Sequence, residues 1–170
     1  STTDFITAQI MGSLVGYQRN RATGEIKPVP DLAESWEVSP DGLKYTFHLF
    51  RNVTWHDGVK FTSADVKFSW DNHVYPYGAT AKTFFPTIDR VETPDDYTVV
   101  FYFKKIFPPQ MMTFGYFCIG VYPKHLIKDD PSMKNPMFTG EKPLIGTGPF
   151  KLKEYKRGQY VELVRYENYH

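Results

Sequence analysis

Hydrophobic and polar residues alternate strictly over residues 43–49, with Leu43, Tyr45, Phe47 and Leu49 on one side and Lys44, Thr46 and His48 on the other. A period of two predicts a strand with one buried face. Residues 35–38 form a second short strand-like run, and Pro40-Asp41-Gly42 between the two supplies turn chemistry, so a hairpin is expected. The alternation returns at residues 97–104, where Tyr97, Val99, Phe101 and Phe103 share one face while Val100 and Tyr102 occupy the other. Such a strand is central or covered on both sides. Residues 88–93 pair with it around Thr93-Pro94-Asp95-Asp96. The period changes after Phe61-Thr62-Ser63-Ala64-Asp65, which reads as a helix start: Thr62 or Ser63 caps, Thr62 with Asp65 fits a capping box, and Phe61 serves as a staple against Val66 or Trp70. Val66, Trp70 and Val74, four apart, mark the face to be buried.

The flanks are built from shorter pieces. Residues 4–14 place Phe5, Ile6, Ile10, Met11 and Leu14 mostly on one helical side, with Thr3 or Asp4 as cap. Residues 15–19 and 26–29 make a hairpin whose second run carries Pro28 and is followed by Pro30, which puts it on an edge. Residues 75–80 form a glycine and proline loop closed by Phe84-Phe85-Pro86. Pro108-Pro109 ends a strand and precedes a brief helix at 110–114; a strand at 115–122, a short helix at 123–127, a surface loop at 129–142 and a hairpin of 151–155 with 160–166 complete the chain. The fold class expected is mixed α/β, strand-rich, with hairpins and short helices.

Composition narrows the function more than the fold. Twenty basic against nineteen acidic side chains in 170 residues give a formal charge of +1, with no basic run that would follow a phosphate backbone, so nucleic acid is excluded as a partner. No apolar run is long enough to span a bilayer, so no membrane insertion by this chain is expected, and any export signal has been removed or lies outside this piece. The aromatic share of 17% suits a β-rich core first and a stacking surface second. Cys118 is the one cysteine, sits in the apolar run 114–121, and is expected to be a small buried hydrophobe.

Three groups of residues carry candidate chemistry. Trp55-His56-Asp57-Gly58 sets a histidine beside an aspartate, but neighbours in extended chain point to opposite sides and no nucleophile elbow accompanies them. A turn held by the aspartate, with Trp55 packed beneath, is expected instead of catalysis. His48, His56, His73, His125 and His170 lack zinc-type spacing, so no metal site and no cofactor are assigned. Tyr75, Tyr77 and Phe84 in the aromatic loop either fold back on the core or form a cleft lip that touches ligand. Gly146-Thr147-Gly148 lacks the lysine of a phosphate loop and reads as a turn or as backbone exposed to a ligand.

Residues 32–36 (LAESW), Asp41-Gly42, Tyr45-Thr46-Phe47, Trp55-His56-Asp57-Gly58, the capped helix at 61–70, Ile145-Gly146-Thr147-Gly148-Pro149-Phe150 and the closing Asn168-Tyr169 together resemble the extracytoplasmic solute-binding proteins of peptide and nickel ABC importers, family 5. Phe50 departs from the family pattern, which more often has arginine there; Arg51 is adjacent. The resemblance implies a type II periplasmic-binding fold, with residues 1–14 a partial first lobe, 15–121 the second lobe, 122–170 a return to the first, and the third lobe absent from this chain. It further implies a non-enzymatic protein, periplasmic or at the cell surface and in some members lipid-anchored, that holds a peptide or other small solute between lobes and hands it to an ABC permease. Tyr75, Tyr77, Phe84 and the backbone of Gly146, Thr147 and Gly148 are the implied ligand contacts. A stand-alone interaction module derived from such a lobe, and binding of a nickel complex or other small solute, stay open as alternatives.

Overall fold

The structure is a computed structural model that describes residues 2–74, 87–106, 111, 114–115, 120–128, 144–156 and 158–170, the side chains of 2–5, 73 and 74 aside. In chain order the elements are α1 (Thr2–Ile10), β1 (Val15–Arg19), β2 (Ile26–Pro30), β3 (Ala33–Val38), β4 (Lys44–Leu49), α2 (Ser63–Ser69) continued by a π-helical turn (Trp70–Val74), β5 (Ile88–Asp95), β6 (Thr98–Phe103), α3 (Lys124–Ile127), β7 (Phe150–Lys156) and β8 (Tyr160–Arg165).

The alternating runs form one antiparallel sheet in the order β3-β4-β6-β5, flanked by the two-stranded ribbons β1-β2 and β7-β8. Its register sets Tyr45 opposite Phe101 and Phe47 opposite Val99, so the hydrophobic halves of β4 and β6 share a face. Phe114 sits over that face, its ring centroid 4.6 Å from Phe47, 4.8 Å from Phe101 and 5.6 Å from Tyr45. The aromatic richness is thus spent largely on the core. On the opposite face the Arg90 guanidinium lies 3.7 Å from the Tyr102 ring centroid and Val100 is buried, which gives β6 the two-sided cover expected of it. Gly42, at φ +69°, closes the β3-β4 turn, and Asp41 Oδ1 accepts the Leu43 amide at 3.0 Å.

The helix that covers the sheet starts where its sequence signals say. Thr62 occupies the N-cap in extended conformation, and its amide donates to Asp65 Oδ2 at 3.0 Å. Phe61, Val66 and Trp70 all lie in the core. The widened turn after Ser69 was not expected from the spacing of four; there the Ser69 hydroxyl donates to Asp65 O (2.7 Å) and Asn72 Nδ2 to Phe68 O (3.0 Å), side chains competing for helix carbonyls.

Two expectations are corrected. α1 begins at Thr2, so Thr3 and Asp4 lie inside its first turn and neither caps it, and it stops at Ile10 instead of running to residue 14. Its end has a cause: the Ser13 amide donates to Asp31 Oδ2 (2.9 Å), and Leu32 and Ala33 donate to the carbonyls of Ser13 and Leu14, which ties 13–14 to the 31–33 segment instead of to the helix. The strand expected at 115–122 is not formed by residues 115 and 120–122; residues 116–119, Cys118 among them, and the proposed helix residues 110, 112 and 113 lie outside the described residues. β2 is an edge, as Pro28 and Pro30 require.

Candidate functional site

The turn at 55–58 is closed by backbone. Gly58 donates to Trp55 O and Trp55 to Val59 O, both at 2.8 Å, while Asp57 Oδ1 accepts the Val59 amide at 3.2 Å. Gly58 has φ +88°, a region that glycine enters without steric cost. Trp55 is fully buried beneath, with the Phe61 ring edge-on at 6.0 Å. Within this turn the adjacent histidine and aspartate part company: Asp57 pairs with His125 Nε2 at the surface (2.8 Å), whereas His56 turns inward.

His56 turns toward the other glycine-rich string of the sequence. Its Nδ1 accepts the Gly146 amide at 3.2 Å, which fixes the ring proton on Nε2, and Nε2–H donates to Gly148 O at 2.8 Å. The His56 amide donates in turn to Gly146 O at 2.9 Å. Tyr166 closes the group, its ring centroid 4.8 Å from that of the imidazole in a T-shaped contact and its hydroxyl donating to Trp55 O at 3.0 Å. Burial holds His56 below the ordinary histidine range; the Gly148 carbonyl raises it in part, Lys151 lowers it and Asp57 raises it.

The 146–148 loop also rests on α1, with the Gly148 amide donating to Ile10 O at 2.8 Å. A Cβ on Gly146 would stand 1.9 Å from Ile10 O, so the close approach demands glycine. The amides of Gly146 and Gly148 are therefore engaged inside the protein. Thr147 is buried between them, and its hydroxyl has no hydrogen-bond partner among the described residues. Tyr75, Tyr77 and Phe84 lie outside the described residues.

A second cluster joins α2 to α3. Asp65 accepts the amides of Thr62 (3.0 Å) and Lys124 (3.2 Å), and burial raises its carboxyl above the usual range against the pull of those bonds. Among the described residues the buried Trp55 indole N–H has no partner of hydrogen-bonding geometry, although it is near enough to Asp65 to favour the carboxylate. Val59, Lys60, Thr62, Lys124 and His125 line a shallow depression beside it. Among the described residues no group of three or more histidine, cysteine, aspartate or glutamate side chains could hold a metal, and no helix is long and apolar enough to cross a membrane.

The union of His56 with the 146–148 loop was not foreseen from the sequence, which offered the two strings as separate motifs. Glycines at both places signalled tight turns, but nothing periodic connects positions so far apart.

A family model described as bacterial extracellular solute-binding proteins, family 5 middle, matches residues 27–170. The chain belongs to this family. A putative ABC transporter peptide-binding protein of Brucella ovis is 40% identical over 147 residues, 83% of this chain and 27% of that protein. Among solved structures, NikZ of Campylobacter jejuni in complex with Ni(L-His) is 33% identical with a TM-score of 0.80, covering 96% of this chain and 31% of that one. The oligopeptide-binding protein AppA of Bacillus subtilis in complex with a nonapeptide is 27% identical with a TM-score of 0.79, covering 99% and 32%. This family 5 chain has the mixed, strand-rich fold of type II periplasmic-binding proteins and spans under a third of the length of these relatives. The family comprises non-enzymatic transport binding proteins.

Proposed function

We propose that this chain is part of the extracytoplasmic solute-binding subunit of an ABC importer, and that its solute is a peptide held in a cleft between lobes and delivered to a permease. The observation that carries the reading is the match over residues 27–170 together with 40% identity to a putative ABC transporter peptide-binding protein. A neighbour that holds a nonapeptide supports the same choice. Extended peptides gripped through their backbone groups suit such a cleft, and hinge closure over the ligand supplies the signal to the permease.

The lobe assignment, 1–14 and 122–170 in the first lobe and 15–121 in the second, is part of the proposal. The bond from Gly148 to Ile10 supports joining the two outer segments. Tyr75, Tyr77 and Phe84 are the proposed cleft residues. The loop of Gly146, Thr147 and Gly148 borders the cleft with two of its amides already engaged, so its contribution is the shape of the wall and the remaining carbonyl and hydroxyl groups.

Binding of a nickel complex is the second reading, favoured by the neighbour with Ni(L-His). Isothermal titration of the full-length protein with a di- to pentapeptide mixture, and separately with nickel–histidine, separates the two. Saturable heat with peptides alone upholds the peptide reading; saturation by nickel–histidine alone replaces it.

A further inference from the structure

His56 commits both ring nitrogens to one loop, and they respond differently to a second ring proton. The Nε2–H bond to Gly148 O survives, while Nδ1, now carrying hydrogen, would face the Gly146 N–H donor to donor at 3.2 Å. The peptide groups fixed by this ring flank Thr147, whose buried hydroxyl has no other anchor among the described residues. The same loop reaches α1 through Gly148 and Ile10.

We propose that His56 is the positioning residue of the 146–148 loop, and that uptake of a second proton by its ring frees Gly146, loosens that wall of the cleft and lowers solute affinity in acid. The inference rests on the reading that this loop borders the ligand. Charged and titratable groups facing the ring come from each element packed on it: Lys151 of β7 opposes the proton, Asp57 of its own turn favours it, and His125 of α3 is paired to that aspartate. Tyr166 presents its ring edge with the hydroxyl engaged on Trp55, and α1 presents the backbone at Ile10 that the loop itself binds. Burial adds to the effect of Lys151, which sets the transition on the acid side of an ordinary histidine.

The test uses the full-length protein with trialanine as probe, in wild type, His56→Asn and His56→Gln, between pH 7.5 and 4. Asparagine keeps an acceptor for Gly146, glutamine keeps a donor for Gly148, and neither titrates. Two readouts are taken: the trialanine Kd, and the hydrogen-exchange protection factor of the Gly146 amide measured without ligand. In wild type both should weaken together in acid, the Kd by roughly fivefold to tenfold for one lost hydrogen bond. Both variants should show a flat Kd over the same range, whatever their overall stability. A purely packing role for His56 would lower stability in both variants and leave the pH step in place, which overturns the proposal. So does Gly146 protection that stays constant in wild type, or protection that falls while the Kd does not. Absence of trialanine binding at every pH fails the peptide reading instead; the Gly146 readout then still decides whether the ring releases the loop.

Discussion

Replacing Gly146 with alanine tests how firmly the 146–148 loop is seated. The new Cβ would lie 1.9 Å from Ile10 O and 2.6 Å from Ile10 C, both backbone atoms that cannot rotate aside as a side-chain tip would. Either α1 or the loop must therefore back away, in an interior with little free space to receive it. Overpacking of this kind costs about 1–3 kcal/mol. The retreat also strains the Gly148 bond to Ile10 and the Gly146 bond to His56, each contributing about 1 kcal/mol. A total of about 3–5 kcal/mol follows. Gly158→Ala is the internal control: none of the described residues stands within 4 Å of its Cβ, and the backbone strain at φ +76°, about 1–2 kcal/mol, is the cost incurred. Urea unfolding at constant m-value should show a larger midpoint drop for Gly146→Ala, equivalent to about 1–4 kcal/mol more than the control. Coincident midpoints for the two variants would refute the reasoning, because they would mean that the loop takes in a methyl group at no more than the cost of the backbone strain at Gly158.

Phe114→Ala removes the ring on which Tyr45, Phe47 and Phe101 converge and should cost about 3–5 kcal/mol in chemical denaturation; a loss below 1 kcal/mol would show that the sheet face does not depend on it. Asp65→Ala deprives the amides of Thr62 and Lys124 of their acceptor and should lower stability by about 2 kcal/mol, with Lys124 amide protection lost ahead of global unfolding in hydrogen exchange. Because burial lowers the His56 pKa in the folded protein, the unfolded chain takes up the proton first as pH falls; the ring's contribution is complete above about pH 6.5 and is lost as pH drops toward the folded value. The stability difference between wild type and His56→Gln should therefore shrink on acidification in urea titrations at a series of pH values, and a difference that widens contradicts the assignment. Asp65 works in the opposite sense, its raised carboxyl giving relative stability that is present in acid and lost as pH rises, which is why the comparison is made between proteins that share it.

The sheet was legible because its residues carry their own period. Leu43 to Leu49 alternate and Tyr97 to Phe103 alternate, and each alternation was enough to name the buried face of a strand, though not the order in which strands pair. Thr62 and Asp65 announced the start of α2 because a cap is a local arrangement of four residues. Where the reading failed, a distant partner had decided the matter. Met11 and Leu14 keep helical spacing and stay buried, but Asp31 captures Ser13 and ends α1 early. His56 reads as a turn residue next to an aspartate, and only its contact with Gly146 and Gly148 reveals a ring with both nitrogens in use. The glycine string was read as a turn or as backbone open to a ligand; residues 147–149 form a bend, and the engaged amides of Gly146 and Gly148 were not legible.

The bonds from Thr54, Trp55 and His56 to Gly146, Gly148 and Tyr166 span 90 to 112 positions of the chain. Closing loops of that length is entropically slow compared with pairing β3, β4, β5 and β6, all of which are present once Phe103 has been made. A polypeptide that emerges with its N-terminus first would thus complete the four-stranded sheet while the His56 ring still lacks Gly146, Gly148 and Tyr166. Time spent in that half-assembled condition, with the imidazole and the edge of its loop unsatisfied, is the interval in which the chain is most open to aggregation and proteolysis.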